Sequence, residues 1–178
     1  MAGCCCRVLL PHLSPVVIDG IDCIDGTVVI AVHPRARGSR CRRCGRVSTR
    51  VHSRYRRHLA DLPAAGRPVV VWLTVRRFFC DDVDCSAGTF VEQVPGLTER
   101  HARRSPGLQA ALEAICLALA GRAGSRLATR PGMGVSRSTL LRMIRALPDP
   151  PVGQVTVLGV DGFTQSGPEP IIWHILFT

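Results

Sequence analysis

Cys41-Arg-Arg-Cys44-Gly45 and Cys80-Asp-Asp-Val-Asp-Cys85 are the stretches that decide how the first half of this chain folds. Each offers two thiols across a short loop, and residues 45–79 separate the two pairs. Four soft thiolates at about 2.3 Å satisfy a tetrahedral zinc ion, and two chelate loops can supply them. Arginines beside the first pair favour the thiolate form, and Gly45 lets the backbone fold around the sulfurs. The pattern predicts a structural Zn²⁺ on Cys41, Cys44, Cys80 and Cys85, with no open position for catalysis. His52 and His58 lie between the pairs and are expected on the surface or against phosphate. Cys23 and Cys116 sit in apolar runs and read as core residues, while Cys4, Cys5 and Cys6 lack a second pair.

Outward from the cysteines, the flanks read as strands. Val16 to Cys23 and Thr27 to Val32 are β-branched runs around Asp25-Gly26, the signature of a hairpin. Val47 to Leu59 alternates loosely and reads as an arginine-decorated strand or extended segment. Pro68 to Phe79 is the clearest strand and runs directly into Cys80. Asp81 to Gly88 reads as a loop.

After Pro95-Gly96 the pattern becomes helical. Leu108 to Ala120 predicts one helix, broken by Gly121. Arg122 to Arg130 predicts a second, stopped by Pro131-Gly132, and Ser136 caps a third over Arg137 to Leu147. The last two match a helix-turn-helix, with Ala128 and Gly132 at the spacing of such turns. In that geometry the start of the final helix meets base edges, here Ser136, Arg137, Ser138, Thr139 and, a turn later, Arg142. Arg122, Arg126 and Arg130 would flank phosphates. Pro148-Asp149-Pro150-Pro151 reads as a stiff linker to an apolar strand, Val155 to Val160, that ends in Asp161.

The charge supports a polyanionic partner. The 178 residues carry a net +10, with 23 basic residues and no lysine among them. Arginine grips phosphate and guanine edges in a bidentate way. The excess is concentrated in Arg35 to Arg67, where Asp61 is the sole acid, and in Gly121 to Leu147, which has none. In the first cluster Arg42, Arg43, Arg46, Arg50, Arg54, Arg56 and Arg57 are expected to grip double-stranded DNA. Four zinc-bound thiolates would lower the net charge to about +8. Aromatics are 4% of residues and suggest no stacking platform, which disfavours RNA. No stretch has the ~18 apolar residues of a membrane span. Met1 to Leu10 lacks the apolar core of a signal peptide, so a cytoplasmic, nucleoid-associated protein is expected.

Together these pieces resemble the N-terminal part of bacterial insertion-sequence transposases of the IS-L-three group. The resemblance runs from about Leu9 to Asp161. It is carried by Cys41-Arg-Arg-Cys44-Gly45, by Val51-His-Ser-Arg-Tyr-Arg-Arg-His-Leu-Ala-Asp-Leu-Pro63 and by Val75-Arg-Arg-Phe-Phe-Cys80. Phe90-Val-Glu-Gln-Val-Pro-Gly-Leu97, Val135-Ser-Arg-Ser-Thr-Leu-Leu-Arg142 and Val157-Leu-Gly-Val-Asp161 complete it. The resemblance implies an N-terminal zinc finger, a helix-turn-helix and a DDE catalytic domain of ribonuclease-H type. It implies that intact relatives bind terminal inverted repeats and cut and join DNA with Mg²⁺.

The expected fold is therefore α+β. A hairpin region (1–36) precedes a small β-rich zinc-binding domain (37–96) and an all-α helix-turn-helix domain (97–150). Residues 151–178 are expected to hold only the first strand of a ribonuclease-H-like domain and a divergent tail. Asp161 corresponds to the first catalytic carboxylate of the family, and Glu169 is the sole acid after it. A frameshift or truncation product is expected, with the apolar run Ile171 to Phe177 finding no sheet to join. The function expected is inverted-repeat binding without strand cleavage, alone, as a homo-oligomer or with intact transposase. The alternatives are a stand-alone regulator that competes with intact transposase, and a decayed remnant with no role.

Overall fold

The computed structural model describes residues 10–148, 157–163 and 171–177. Strands β1 (Val16–Ile24) and β2 (Thr27–Pro34) pair antiparallel, with Ile24 opposite Thr27. Asp25 and Gly26 take φ of 48° and 76°, the left-handed pair that a two-residue hairpin turn requires. The chain then leaves the sheet to make a minute hairpin, β3 (Ser39–Arg40) with β4 (Val47–Ser48). It returns as a long edge strand, β5 (Val51–Ala64). A second left-handed pair, Ala65 and Gly66, turns it back into β6 (Arg67–Phe79).

Strand β6 inserts between β5 and β2, giving the order β1-β2-β6-β5, with β7 (Thr89–Val91) paired to its end. Only the β2–β6 pairing in this sheet is parallel. The central place of β6 explains its nearly unbroken apolar run, and the edge place of β5 explains its arginines, which blunt unpaired strand edges. Residues on both sides of position 36 therefore share one sheet.

Alternate residues of β6 divide between two faces. Val69, Val71, Leu73 and Val75 join Ile30, Val32 and Leu59 in a core covered by Leu13, Val94 and Leu97. The tip of the β1–β2 hairpin projects past this core. Cys23 lies there and is exposed, not buried as its apolar run suggested, and Arg67 donates to its sulfur at 3.0 Å. Cys116 is buried as expected.

Helix α1 (Pro106–Thr129) starts two residues before the first apolar position expected for it. Ser105 caps it by accepting from the Leu108 N–H, and Pro106 fills the first turn. The helix breaks at Ala120, one residue ahead of the expected break, with φ 54° and ψ −157°. Helix α2 (Arg137–Ala146) follows, capped by the Ser136 hydroxyl, which accepts from the Thr139 N–H. Leu108, Leu112, Cys116, Ala128, Leu140 and Met143 form a second core between these helices.

A buried carboxylate fastens this helical part to the sheet. Asp61 of β5 accepts from the Ser105 hydroxyl and lies 2.6 Å from His12 Nε2. Backbone hydrogen bonds join Ala60 to Arg103 and Ser105 beside it.

Residues 145–178 form a second unit, in which β8 (Val157–Phe163) pairs antiparallel with β9 (Ile171–Phe177). This corrects two expectations. The strand does not end at Asp161 but continues to Phe163, and the apolar run Ile171–Phe177 has a partner strand. The reason is the β8–β9 ladder itself, in which Asp161 stands opposite Trp173. The expected linker at residues 149–151 and Cys4, Cys5 and Cys6 lie outside the described residues.

Candidate metal centre and nucleic-acid interface

The first cysteine pair sits in the loop of the β3–β4 hairpin. Gly45, with φ 78°, donates its N–H to the Cys41 carbonyl, and the Cys41 N–H donates to Arg46. This turn points the backbone N–H groups of Arg43 and Cys44 at the Cys41 sulfur, and that of Arg46 at the Cys44 sulfur. The second pair lies where β6 ends. The Cys80 N–H donates to Gly88, the Cys85 N–H donates to Asp82, and the Asp82 N–H faces the Cys80 sulfur. Buried Phe78 and Phe90 stack at 5.8 Å and pack with Cys41, giving the centre a hydrophobic floor.

The four sulfurs lie within 4.8 Å of one another. Cys41 to Cys85 is 3.9 Å and Cys44 to Cys80 is 3.5 Å. A tetrahedron with ~2.3 Å metal–sulfur bonds has edges of about 3.8 Å, whereas a disulfide needs about 2.05 Å. The spacing thus fits one tetrahedral ion and no disulfide. The thiols do not ionise alike. Backbone N–H groups of Cys44 and Arg43 bring Cys41 down to about 7. At Cys44 the Arg46 N–H favours the thiolate, but burial and the crowded sulfurs win and push it up to about 12. Cys80 is raised as well, despite the Asp82 N–H, by burial and by Cys85 and Cys41. Four thiolates this close repel one another, and a divalent cation is the group that relieves it.

Residues 37–85 match the family of the zinc-finger of transposase IS204/IS1001/IS1096/IS1165. No curated protein and no solved structure matches the chain. The matched stretch opens just before β3 and ends on the fourth cysteine, Cys85. The donor set, the spacing and the matched family agree on a zinc ribbon whose four cysteines are placed to hold a structural metal. His52 and His58 lie elsewhere, His52 edge-on to Phe79 at 4.8 Å and His58 beside Trp72.

The arginines of the finger have different surroundings. Arg42 and Arg43 stand exposed on the first loop. Arg46 donates to the Asp81 carbonyl, and Arg50, between β4 and β5, pairs with the Asp81 carboxylate at 2.9 Å, so both tie the first half of the finger to the second cysteine loop. Arg54 and Arg56 are exposed on one face of β5. Arg57 points to the other face and donates to the carbonyls of Glu99 and Ala102. The sequence reading also missed a fastening beside the finger. Arg76 pairs with buried Glu92 at 2.7 Å and donates to the carbonyls of Ala36 and Arg37, where the finger begins. An arginine in a strand carries no signal for that role; the buried glutamate reveals it only in the fold.

The helical residues form a separate group. Ser136, Arg137, Ser138 and Arg142 are exposed at the start and along one side of α2, and Thr139 is half-buried. Arg122 and Arg126 are exposed on the second half of α1. Gly121 and Gly124 let the two helices approach closely: a Cβ at Gly121 would lie 2.8 Å from Arg137 Cγ. Met133 N–H to Ala128, and the Ser125 hydroxyl to Val135, close the turn between them. No acid occurs from Gly121 to Leu147.

Proposed function

We propose that this chain is the DNA-binding portion of an insertion-sequence transposase and recognises the terminal inverted repeats of its element. The observation that carries the reading is the metal centre inside a stretch that matches a transposase zinc finger. The helical part supports it. The second half of α1 and α2 act as a helix-turn-helix, with Ser136, Arg137, Ser138, Thr139 and Arg142 facing base edges and Arg122 and Arg126 facing phosphates. Arginines of the finger add phosphate contacts. The zinc is structural, because four protein ligands leave no position for a substrate.

Asp161 corresponds to the first carboxylate of the catalytic set. Two-metal strand cleavage needs further carboxylates, and Glu169 is the one acid after Asp161 in these residues, so the activity we assign to them is DNA binding without strand cleavage. The test uses the zinc-loaded chain with a duplex carrying the element's end and a scrambled duplex. Preferential binding of the end is expected. Arg137→Ala and Arg142→Ala should each cost about 1–3 kcal/mol on the end and little on the scrambled duplex. Equal affinity for both duplexes, or strand cleavage by this chain with Mg²⁺, would overturn the reading.

A further inference from the structure

The sheet face turned away from the core carries a basic surface that neither the metal centre nor the helices use. Register sets Arg54 opposite Arg76, Arg56 opposite Thr74 and His58 opposite Trp72. The Arg56 guanidinium lies 4.9 Å over the Trp72 ring, and the His58 ring lies 5.5 Å from it at 32°. Arg54 lines a cavity of about 380 Å³ with Thr74, Arg76, His33, Pro34 and Asp19. Two charges there are already committed: Arg76 to Glu92, and Asp19 to His33 Nδ1 at 2.8 Å. The Arg54 and Arg56 guanidinium groups make no hydrogen bond to the described residues, and both side chains are exposed.

We infer that this face grips the phosphate backbone of duplex DNA, beside the finger and apart from α2, without reading sequence. The inference rests on the proposed DNA-binding function and deepens it. Arg54 and Arg56 are two residues apart on a strand, so their backbones are about 6.8 Å apart. A DNA strand presents a phosphate every ~3.4 Å of its axis, so both guanidinium groups can reach one strand. Stacking on Trp72 holds the Arg56 guanidinium in place while its N–H edges stay free for phosphate. The same stacking covers the indole, so a duplex backbone suits this face better than an unpaired base. The Thr74 hydroxyl beside Arg54 adds a neutral donor of the kind common at phosphates.

The experiment uses the full zinc-loaded chain with Trp173→Phe, which leaves Trp72 as its one tryptophan. A scrambled duplex is titrated while Trp72 emission is followed, between ~50 and ~200 mM salt. Trp72 emission should change on saturation. Arg54→Gln with Arg56→Gln should weaken binding to the scrambled and the element-end duplex alike. It should also make the slope of log K against log salt shallower by about 1.8, for two lost phosphate contacts. Both arginines are exposed, so circular dichroism should show an unchanged fold. Arg137→Ala with Arg142→Ala should lose discrimination between duplexes yet keep the Trp72 response. An unchanged salt slope in the glutamine variant, or a silent Trp72 at saturation, overturns the inference and leaves the proposed function standing. Tighter binding of a single strand, with a larger Trp72 response, overturns the duplex assignment. Failure to bind any DNA overturns both.

Discussion

Replacing Asp61 with alanine tests whether one buried carboxylate holds the helices to the sheet. Its side chain is 1% exposed. It meets three donors: His12 Nε2 at 2.6 Å, the Leu62 N–H at 2.8 Å and the Ser105 hydroxyl. Breaking a buried charged network by removing one partner costs about 3–5 kcal/mol, because the other groups stay buried and unpaired. His12 is 25% exposed and regains some water, which puts the expected loss near the lower end, about 3 kcal/mol. In a chain of this size that lowers the melting temperature by roughly 6–12 °C. Asp61→Asn keeps one acceptor and should lose about half as much. The measurement is urea unfolding of the zinc-saturated chain, followed by circular dichroism. A loss below about 1 kcal/mol for Asp61→Ala would refute the fastening. Acidity gives an independent check. Burial alone would raise the Asp61 carboxyl, but the hydrogen bonds from His12, Ser105 and Leu62 outweigh it and hold the group below the usual range. A depressed folded value contributes stability that is complete above pH ~4 and is lost as pH falls through that value. The native chain should therefore lose stability in acid more steeply than Asp61→Asn.

The metal centre predicts about one zinc per purified chain by elemental analysis, lost in Cys80→Ser; a folded, metal-free native chain would reject it. Chelation should disturb the packing of Phe78 and Phe90, which a fall in near-ultraviolet dichroism would report. Gly121→Val should destabilise by about 1–3 kcal/mol and weaken DNA binding, since the added carbons push on Arg137 and Leu141 of α2. Ala120→Gly should stabilise by about 1 kcal/mol in thermal unfolding, because Ala120 holds a φ of 54° that glycine adopts freely.

The local elements were legible in the sequence because local chemistry dictates them. Asp25-Gly26 can hardly do other than turn a hairpin, and the β-branched and apolar run from Val69 to Val75 reads as a strand. Ser136 before Arg137 announces a helix start. The two cysteine pairs declare a metal centre by spacing alone, since chelate geometry is a property of short loops. The helix break was legible to within one residue, because Gly121 marks where the two helices must approach, while the strain itself falls on Ala120.

Tertiary structure decided what each side chain is for. Arg54, Arg56 and Arg57 read alike in the sequence, as DNA contacts, and Arg76 carried no assigned role. Strand parity sends Arg54 and Arg56 to one face and Arg57 to loop carbonyls on the other, and burial of Glu92 commits Arg76. Asp61 read as a lone acid in a basic run until β5 brought it to Ser105 and His12, distant in sequence. The parallel pairing of β2 with β6 is of the same kind, since it depends on where the chain returns after the finger. The sequence by itself determined the β1–β2 hairpin, the central strand β6, the helical segments and the spacing of the four cysteines, all set by neighbours along the chain. The fold determined which charges are committed to partners and which stay exposed, because that depends on groups the chain supplies from far away.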